Sequence, residues 1–197
     1  MIRAVIFDFY SVWLPDIFND YLAIAEQRSS DLHAELAVVV EQYYQGTVDI
    51  AYLTDVFRYK LGDPNIDASL FTFREEDIPP EIITFMRSLH SHFIKVGVLA
   101  NLGKAEFTLL DNLNRHDQLF EVIACPTSLQ LQQPLLSRDV FVAALNLIGE
   151  PPDNCLIVTG NDNYIAFANS LAIQTVKFKG FAELTEEVND LLTKNLM

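Results

Sequence analysis

Basic residues are scarce in this chain. Thirteen lysines and arginines stand against 27 aspartates and glutamates, a formal net charge of −14 over 197 residues. Phosphate backbones are gripped by clustered basic side chains, and no such cluster occurs here, which excludes nucleic acid as a partner. A small anionic substrate is repelled by the same field unless local cations focus it, and the simplest role of the acidity is solubility. Cysteine is nearly absent: Cys125 and Cys155 have neither the spacing of a zinc site nor the number of a disulfide framework, so both are predicted to be reduced, buried thiols. No apolar run approaches the roughly 18 residues of a membrane span, which excludes a membrane partner. The N-terminus opens directly on strand-like sequence without a charged, apolar, small-residue leader pattern, and a cytoplasmic location is expected. Of the four histidines, His90 and His92 are two apart near a helix end and do not share a face. His33 and His116 stand alone.

Half of the residues are apolar, ample for one α/β domain with a modest insertion. The first strand is Ala4-Val5-Ile6-Phe7, closed by Asp8. From about Asp16 to Asp77 no strand signal appears. Apolar residues there recur at helical spacing: Ile17, Tyr21, Leu22 and Ile24, then Leu32, Leu36, Val39, Val40 and Tyr43. A third helix is expected from Thr47, as its cap, to Leu61-Gly62, and the whole stretch reads as about four short helices. The aromatics Tyr43, Tyr44, Tyr52, Phe57 and Tyr59 are expected to form its core, with any exposed remainder an interaction surface. From Pro79 onward helices alternate with strands, the latter at Ile94–Leu99, Phe120–Ala124, Cys155–Val158 and Ile173–Lys177. That alternation argues for an α/β fold whose parallel sheet is covered on both faces. A carboxylate at the C-terminal end of such a buried strand sits where open α/β sheets place their ligand chemistry.

The segment Arg3-Ala4-Val5-Ile6-Phe7-Asp8-Phe9-x-x-Val12 resembles the first motif of the haloacid dehalogenase-like hydrolases. The order and spacing of Pro134-x-x-x-Arg138-Asp139-Val140-Phe141-x-x-Ala144-Leu145-x-x-Ile148-Gly149-x-Pro151-Pro152 are similar too. Tyr44-Gln45-Gly46-Thr47 looks like the group whose first motif reads Asp-Phe-Gly-Gly-Val. The resemblance implies a Rossmann-like parallel five-stranded sheet of order 5-4-1-2-3, with an inserted α-helical cap. Residues 1–15 and 79–197 would form the core and 16–78 the cap. A bare response-regulator-like domain also ends a strand in an acid, but it lacks an insertion of this length.

The family's chemistry has four tasks, and the resemblance assigns each a position. Asp8 stands at the phosphoryl-accepting nucleophile; its bland alternative is an acid left in a polar loop. Tyr10 stands where a general acid–base is usual, and a phenol with a pKa near 10 is poorly matched to that work. Phosphate binding falls to Ala100-Asn101, where a hydroxyl residue is expected before the asparagine, and to Gln133, where a lysine is expected. Lys104 is the nearest substitute cation, with a solvent-facing first-turn lysine as the alternative. Magnesium would be held by acids at positions that carry Gly160 and Tyr164; Asp162 lies between them, with a helix N-cap as its other reading. The resemblance therefore implies Mg2+ in an active member, whereas these substitutions predict no cofactor. The expected function is that of a catalytically impaired or inactive phosphatase homologue kept for binding or interaction. Turnover of a small phosphate monoester through Asp8 in a rearranged site is the alternative. The partner is a small molecule or a protein ligand whose identity the residues do not disclose, and a homodimer stays open.

Overall fold

Residues 1–14, 17–125 and 138–194 are described in the computed structural model, with no side-chain account of 138–140 or 194. Five short apolar runs pair as one all-parallel sheet: β1 (Ala4–Asp8), β2 (Lys95–Leu99), β3 (Val122–Ala124), β4 (Cys155–Thr159) and β5 (Gln174–Lys177). Their order is β3-β2-β1-β4-β5, the expected 5-4-1-2-3 seen from the opposite edge. β1 is central, with Asp8 level with Leu99 of β2 and Phe7 level with Val158 of β4. The chain leaves β1 for β2 on one side and later returns to β4 on the other. The end of β1 is thus the switch point where crossovers diverge and leave a crevice.

Strand periodicity divides the core into two layers. Val5 and Phe7 of β1, with Leu156 and Val158 of β4, face α5 (Pro80–Ser91), α6 (Lys104–Asp117) and the C-terminal α9 (Phe181–Lys194). Ala4 and Ile6, with Cys155 and Ile157, face α7 (Arg138–Ile148) and α8 (Asp162–Ser170). Asp8 and Thr159 continue the second set, so their side chains emerge on the same face of neighbouring strands. Both cysteines are buried and free, and burial pushes the Cys155 thiol up to about 12.

One helical turn, α1 (Phe9–Val12), follows β1 immediately, where the sequence suggests a loop. The inserted segment carries three α-helices and two short 3₁₀ turns among its described residues: α2 (Ile17–Arg28), α3 (Ser30–Tyr44), α4 (Ile50–Leu61), and turns at Ala68–Leu70 and Glu75–Asp77. They pack around their own cluster of Phe18, Leu36, Val40, Leu53, Phe57 and Phe71. Thr47 does not cap α4. Asp49 does, accepting from the Tyr52 backbone N–H at 2.8 Å, while the Thr47 hydroxyl donates to the Gln42 carbonyl. Asp49 stands directly before the helix in extended conformation, from which its side-chain oxygen reaches an orphan N–H of the first turn. Gly62 closes α4 in the left-handed conformation at φ 65°. Of the five insert aromatics, Tyr43, Tyr44 and Phe57 are buried, but Tyr52 and Tyr59 are 52% and 82% exposed. Among the described residues no helix is long and apolar enough to cross a membrane.

Candidate functional site

Asp8 closes β1 only 5% exposed, and a buried carboxylate has to be supplied with donors. Two hydroxyls supply them: Ser11 Oγ and Thr159 Oγ1 both donate to Asp8 Oδ2, each at 2.6 Å. The network continues outward. The Gly160 backbone N–H donates to Ser11 Oγ at 2.8 Å and the Asn161 N–H to Thr159 Oγ1 at 3.0 Å. Asn161 then caps α8, its Oδ1 accepting from the backbone N–H groups of Asn163 and Tyr164. The loop after β4 is thereby tied to the turn after β1 through side chains 148 residues apart. Ser11 also packs against Gly160, where a Cβ would lie 3.3 Å from that of Ser11. A larger residue at 160 therefore displaces Ser11.

A cavity of about 70 Å³ adjoins the carboxylate, lined by Asp8, Tyr10, Ser11, Asn101, Asn161 and Tyr164, with Asn19 of α2 at its edge. Of the positions singled out in the sequence, Asp8, Tyr10, Asn101 and Tyr164 thus come together, and Gly160 touches them through Ser11. Ala100 does not join them: its methyl is buried in the cluster on the α5 and α6 face of the sheet. Lys104 begins α6 exposed to solvent and lines no part of this cavity. Asp162 is not the N-cap of α8, a place taken by Asn161. Its side chain is 77% exposed and pairs with Lys177 at 2.6 Å. Gln133 lies outside the described residues. Sequence reasoning missed Ser11, Thr159, Asn161 and Asn19. Only Ser11 stood close enough to Asp8 in sequence to be suspected, as a hydroxyl three residues on.

Among the described residues, Asp8 is the one carboxylate that lines this cavity. Mg2+ takes near-octahedral oxygen ligation, usually with one or two carboxylates. Here Asp8 Oδ2 already accepts two hydroxyl protons, and Asp162 is held at the surface by Lys177. Among the described residues no three histidine, cysteine, aspartate or glutamate side chains converge on one point.

The insert is fastened above this crevice by a buried polar contact. The Tyr43 hydroxyl of α3 lies 2.5 Å from both carboxylate oxygens of Glu106 in the first turn of α6. Glu106 is 2% exposed. Burial raises its pKa above the ordinary carboxyl value, partly opposed by the bond from Tyr43. Burial and the Glu106 charge drive the Tyr43 phenol far upward, so it remains a donor. Gly103 makes the approach sterically possible, since a Cβ there would fall 2.3 Å from Tyr43 Cζ.

No protein-family model matches the chain, and no curated protein matches its sequence. Solved structures do. A HAD family enzyme from Bacteroides thetaiotaomicron, in complex with magnesium and inorganic phosphate, superposes with a TM-score of 0.59 at 15% identity, over 91% of this chain and 95% of that one. The chain has the haloacid dehalogenase-like fold. The L-2-haloacid dehalogenase from Xanthobacter autotrophicus, with chloropropionic acid covalently bound, matches at TM-score 0.55 and 16% identity, over 90% of this chain and 77% of that one. The L-2-haloacid dehalogenase RSc1362 matches at TM-score 0.55 and 20% identity, over 90% and 86%. Within this haloacid dehalogenase-like fold, Asp8 stands at the end of the central strand.

Proposed function

We propose that this chain is a haloacid dehalogenase-like hydrolase-fold protein, with a core of residues 1–15 and 79–197 and a cap of 16–78. Its phosphatase chemistry is impaired or lost, and it serves in binding or interaction. The observation that carries this reading is the pair of hydroxyls on Asp8 Oδ2. Hydrogen bonds to a charged acceptor contribute about 1.5–3 kcal/mol each. Here they stabilise the free carboxylate, whose negative charge is spent as an oxygen bonds to phosphorus. They therefore favour the ground state over the transition state. Among the described residues, no cation lines the cavity to compensate. Tyr10 replaces a positioned acid–base, a loss worth about 10²–10⁴ in rate, and Lys104 is turned away.

A second reading draws on the covalent chloropropionic acid complex of the Xanthobacter autotrophicus dehalogenase. Attack of an aspartate oxygen on a halogen-bearing carbon expels halide and leaves an ester for water to hydrolyse. Halide departs without a proton, so a phenol in place of an acid at position 10 is no obstacle.

One experiment separates these readings. Purified protein is incubated with p-nitrophenyl phosphate, with and without magnesium, and separately with 2-chloropropionate, while phosphate and halide release are measured. Asp8→Asn is the control. The expected result is no release above that control in either arm. Magnesium-dependent phosphate release that Asp8→Asn abolishes overturns the reading, and halide release abolished by the same change establishes the second one. Repair is a further arm: Tyr10→Asp, Gln133→Lys and Gly160→Asp are introduced together, with Ser11→Gly to clear the 3.3 Å contact at position 160. The combination is expected to gain magnesium binding and activity that no single change confers, because these groups act as a unit.

A further inference from the structure

A second, larger cavity of about 600 Å³ lies on the other side of Tyr10. It is built from the two segments that join the inserted helices to the sheet domain and from the start of α2. Leu14 comes from the outgoing connection, Ile17 and Phe18 from the first turn of α2, and residues 69–74 with Asp77 from the returning connection. Its size is that of sites which enclose a small organic molecule. Its walls are already braced. Phe18 stacks on Phe71 with centroids 5.1 Å apart and planes within 3°, while Phe73 and Tyr10 both pack on Phe9, at 4.8 and 5.1 Å. The pairs are stacked for Phe18 and Phe71, tilted for Phe9 and Phe73, and edgewise for Phe9 and Tyr10.

We propose that this cleft is a binding site for a neutral, planar aromatic molecule, held between the two connections. The aromatic walls set the shape, since flat rings pack against flat rings with about 0.5–1.5 kcal/mol per contact beyond area burial. The polar rim sets the charge. Arg74 and Asp77 are its charged members, and their formal charges cancel. Arg74 is further committed, with Nη1 2.6 Å from a Glu76 oxygen and Nη2 3.5 Å from Asp77. Among the described lining residues no uncompensated cation stands ready to receive an anion, and the chain's net charge of −14 repels one. Ser69 Oγ donates to Asp67 Oδ1 and Thr72 Oγ1 to the Ala68 carbonyl, so each offers a ligand its lone pairs, to accept from a phenol O–H or an amide N–H. A ligand seated here touches both connections and one face of Tyr10, whose residue also lines the cavity beside Asp8. Occupancy therefore braces the insert against the sheet domain. The site holds whether or not Asp8 turns over a substrate, so its failure and that of the proposed function are separate results.

The test uses 1-naphthol and 1-naphthyl phosphate, the same ring without and with a charged group. Both are titrated into the full chain and followed by ¹H–¹⁵N correlation spectra. 1-Naphthol is expected to bind with a Kd below about 1 mM, to move the amides of 69–74, and to show nuclear Overhauser contacts to the methyls of Leu14, Ile17 and Thr72. 1-Naphthyl phosphate is expected to bind about tenfold more weakly or worse. Filling the cleft with Ser69→Trp or with Thr72→Trp should each cost about tenfold for 1-naphthol. Arg74→Ala should change it less than threefold, about 0.65 kcal/mol at most. Absence of 1-naphthol binding, contacts located elsewhere in the wild-type chain, or phosphate binding as tight as the neutral compound overturns the proposal. The wild-type contacts decide the matter even if a tryptophan variant fails to fold.

Discussion

Removing one hydroxyl, by Tyr43→Phe, isolates the contact that ties the inserted helices to α6. In the native protein Tyr43 lies 2.5 Å from both oxygens of Glu106, a carboxylate only 2% exposed. The phenylalanine keeps the ring that packs over Gly103, so the change deletes a donor rather than a surface. A hydrogen bond to a charged group contributes about 1.5–3 kcal/mol. For a chain of this size that cost corresponds to a fall in Tm of about 3–12 °C. The pH dependence identifies the cause. Burial raises the folded-state pKa of Glu106 above 4.5, so the native state holds more protons than the unfolded state in the window above that value. The stability Glu106 contributes is therefore fully present below pH 4.5 and is lost as pH rises through the raised pKa. Tyr43 opposes that rise in pKa, and its removal pushes Glu106 further up. The cost of Tyr43→Phe should accordingly be greatest near pH 8 and shrink toward pH 5, where Glu106 can take up a proton. Thermal unfolding followed by circular dichroism, for Tyr43→Phe, Glu106→Gln and the double variant at several pH values, measures both the cost and the coupling. In the Glu106→Gln background the tyrosine should be worth only about 1 kcal/mol, that of a neutral bond, at every pH. A cost below about 0.5 kcal/mol at pH 8, or one that does not change with pH, refutes the reasoning.

Phe93→Gly should stabilise the protein. Phe93 follows α5 at φ 59° and is 95% exposed, so it carries left-handed strain without packing in return. Relief of about 1–2 kcal/mol, less the entropy that glycine adds to the unfolded chain, leaves a net gain of about 0.5–1 kcal/mol; a lower midpoint in urea would show that the strain is already relaxed. Thr159→Val should cost about 1.5–3 kcal/mol in urea unfolding, because the hydroxyl donates to Asp8 and accepts from the Asn161 N–H within a fully buried site. A neutral outcome would mean that Thr159 does not hold the Asp8 carboxylate.

The architecture was largely legible in the residues. Apolar runs of four to six residues bounded by turns, alternating with helical periodicity after Pro79, dictate a buried parallel sheet because only that arrangement covers both faces of every strand. The same local logic gave α2, α3 and α4 and the glycine stop at Gly62. It placed Asp8 at the end of the first strand, and the resemblance placed that strand at the centre. Helix capping was misread where two polar candidates competed within a few residues. Asp49 rather than Thr47, and Asn161 rather than Asp162, hold the orphan N–H groups, and backbone geometry makes that choice. Tyr10, Asn101 and Tyr164 beside Asp8 were legible through the resemblance, but the Thr159 hydroxyl that holds it was not. Thr159 reaches it because β4 lies beside β1 in a register that sets residues 8 and 159 on one face, and strand pairing across 151 positions leaves no local mark. The contact between Tyr43 and Glu106 is equally silent in sequence, since Tyr43 reads as part of the insert's own core and Glu106 as an ordinary surface helix position until the insert folds back over α6. Local chemistry decided the elements and their order; which polar groups were buried together, and so what Asp8 is held by, was decided only when distant elements packed.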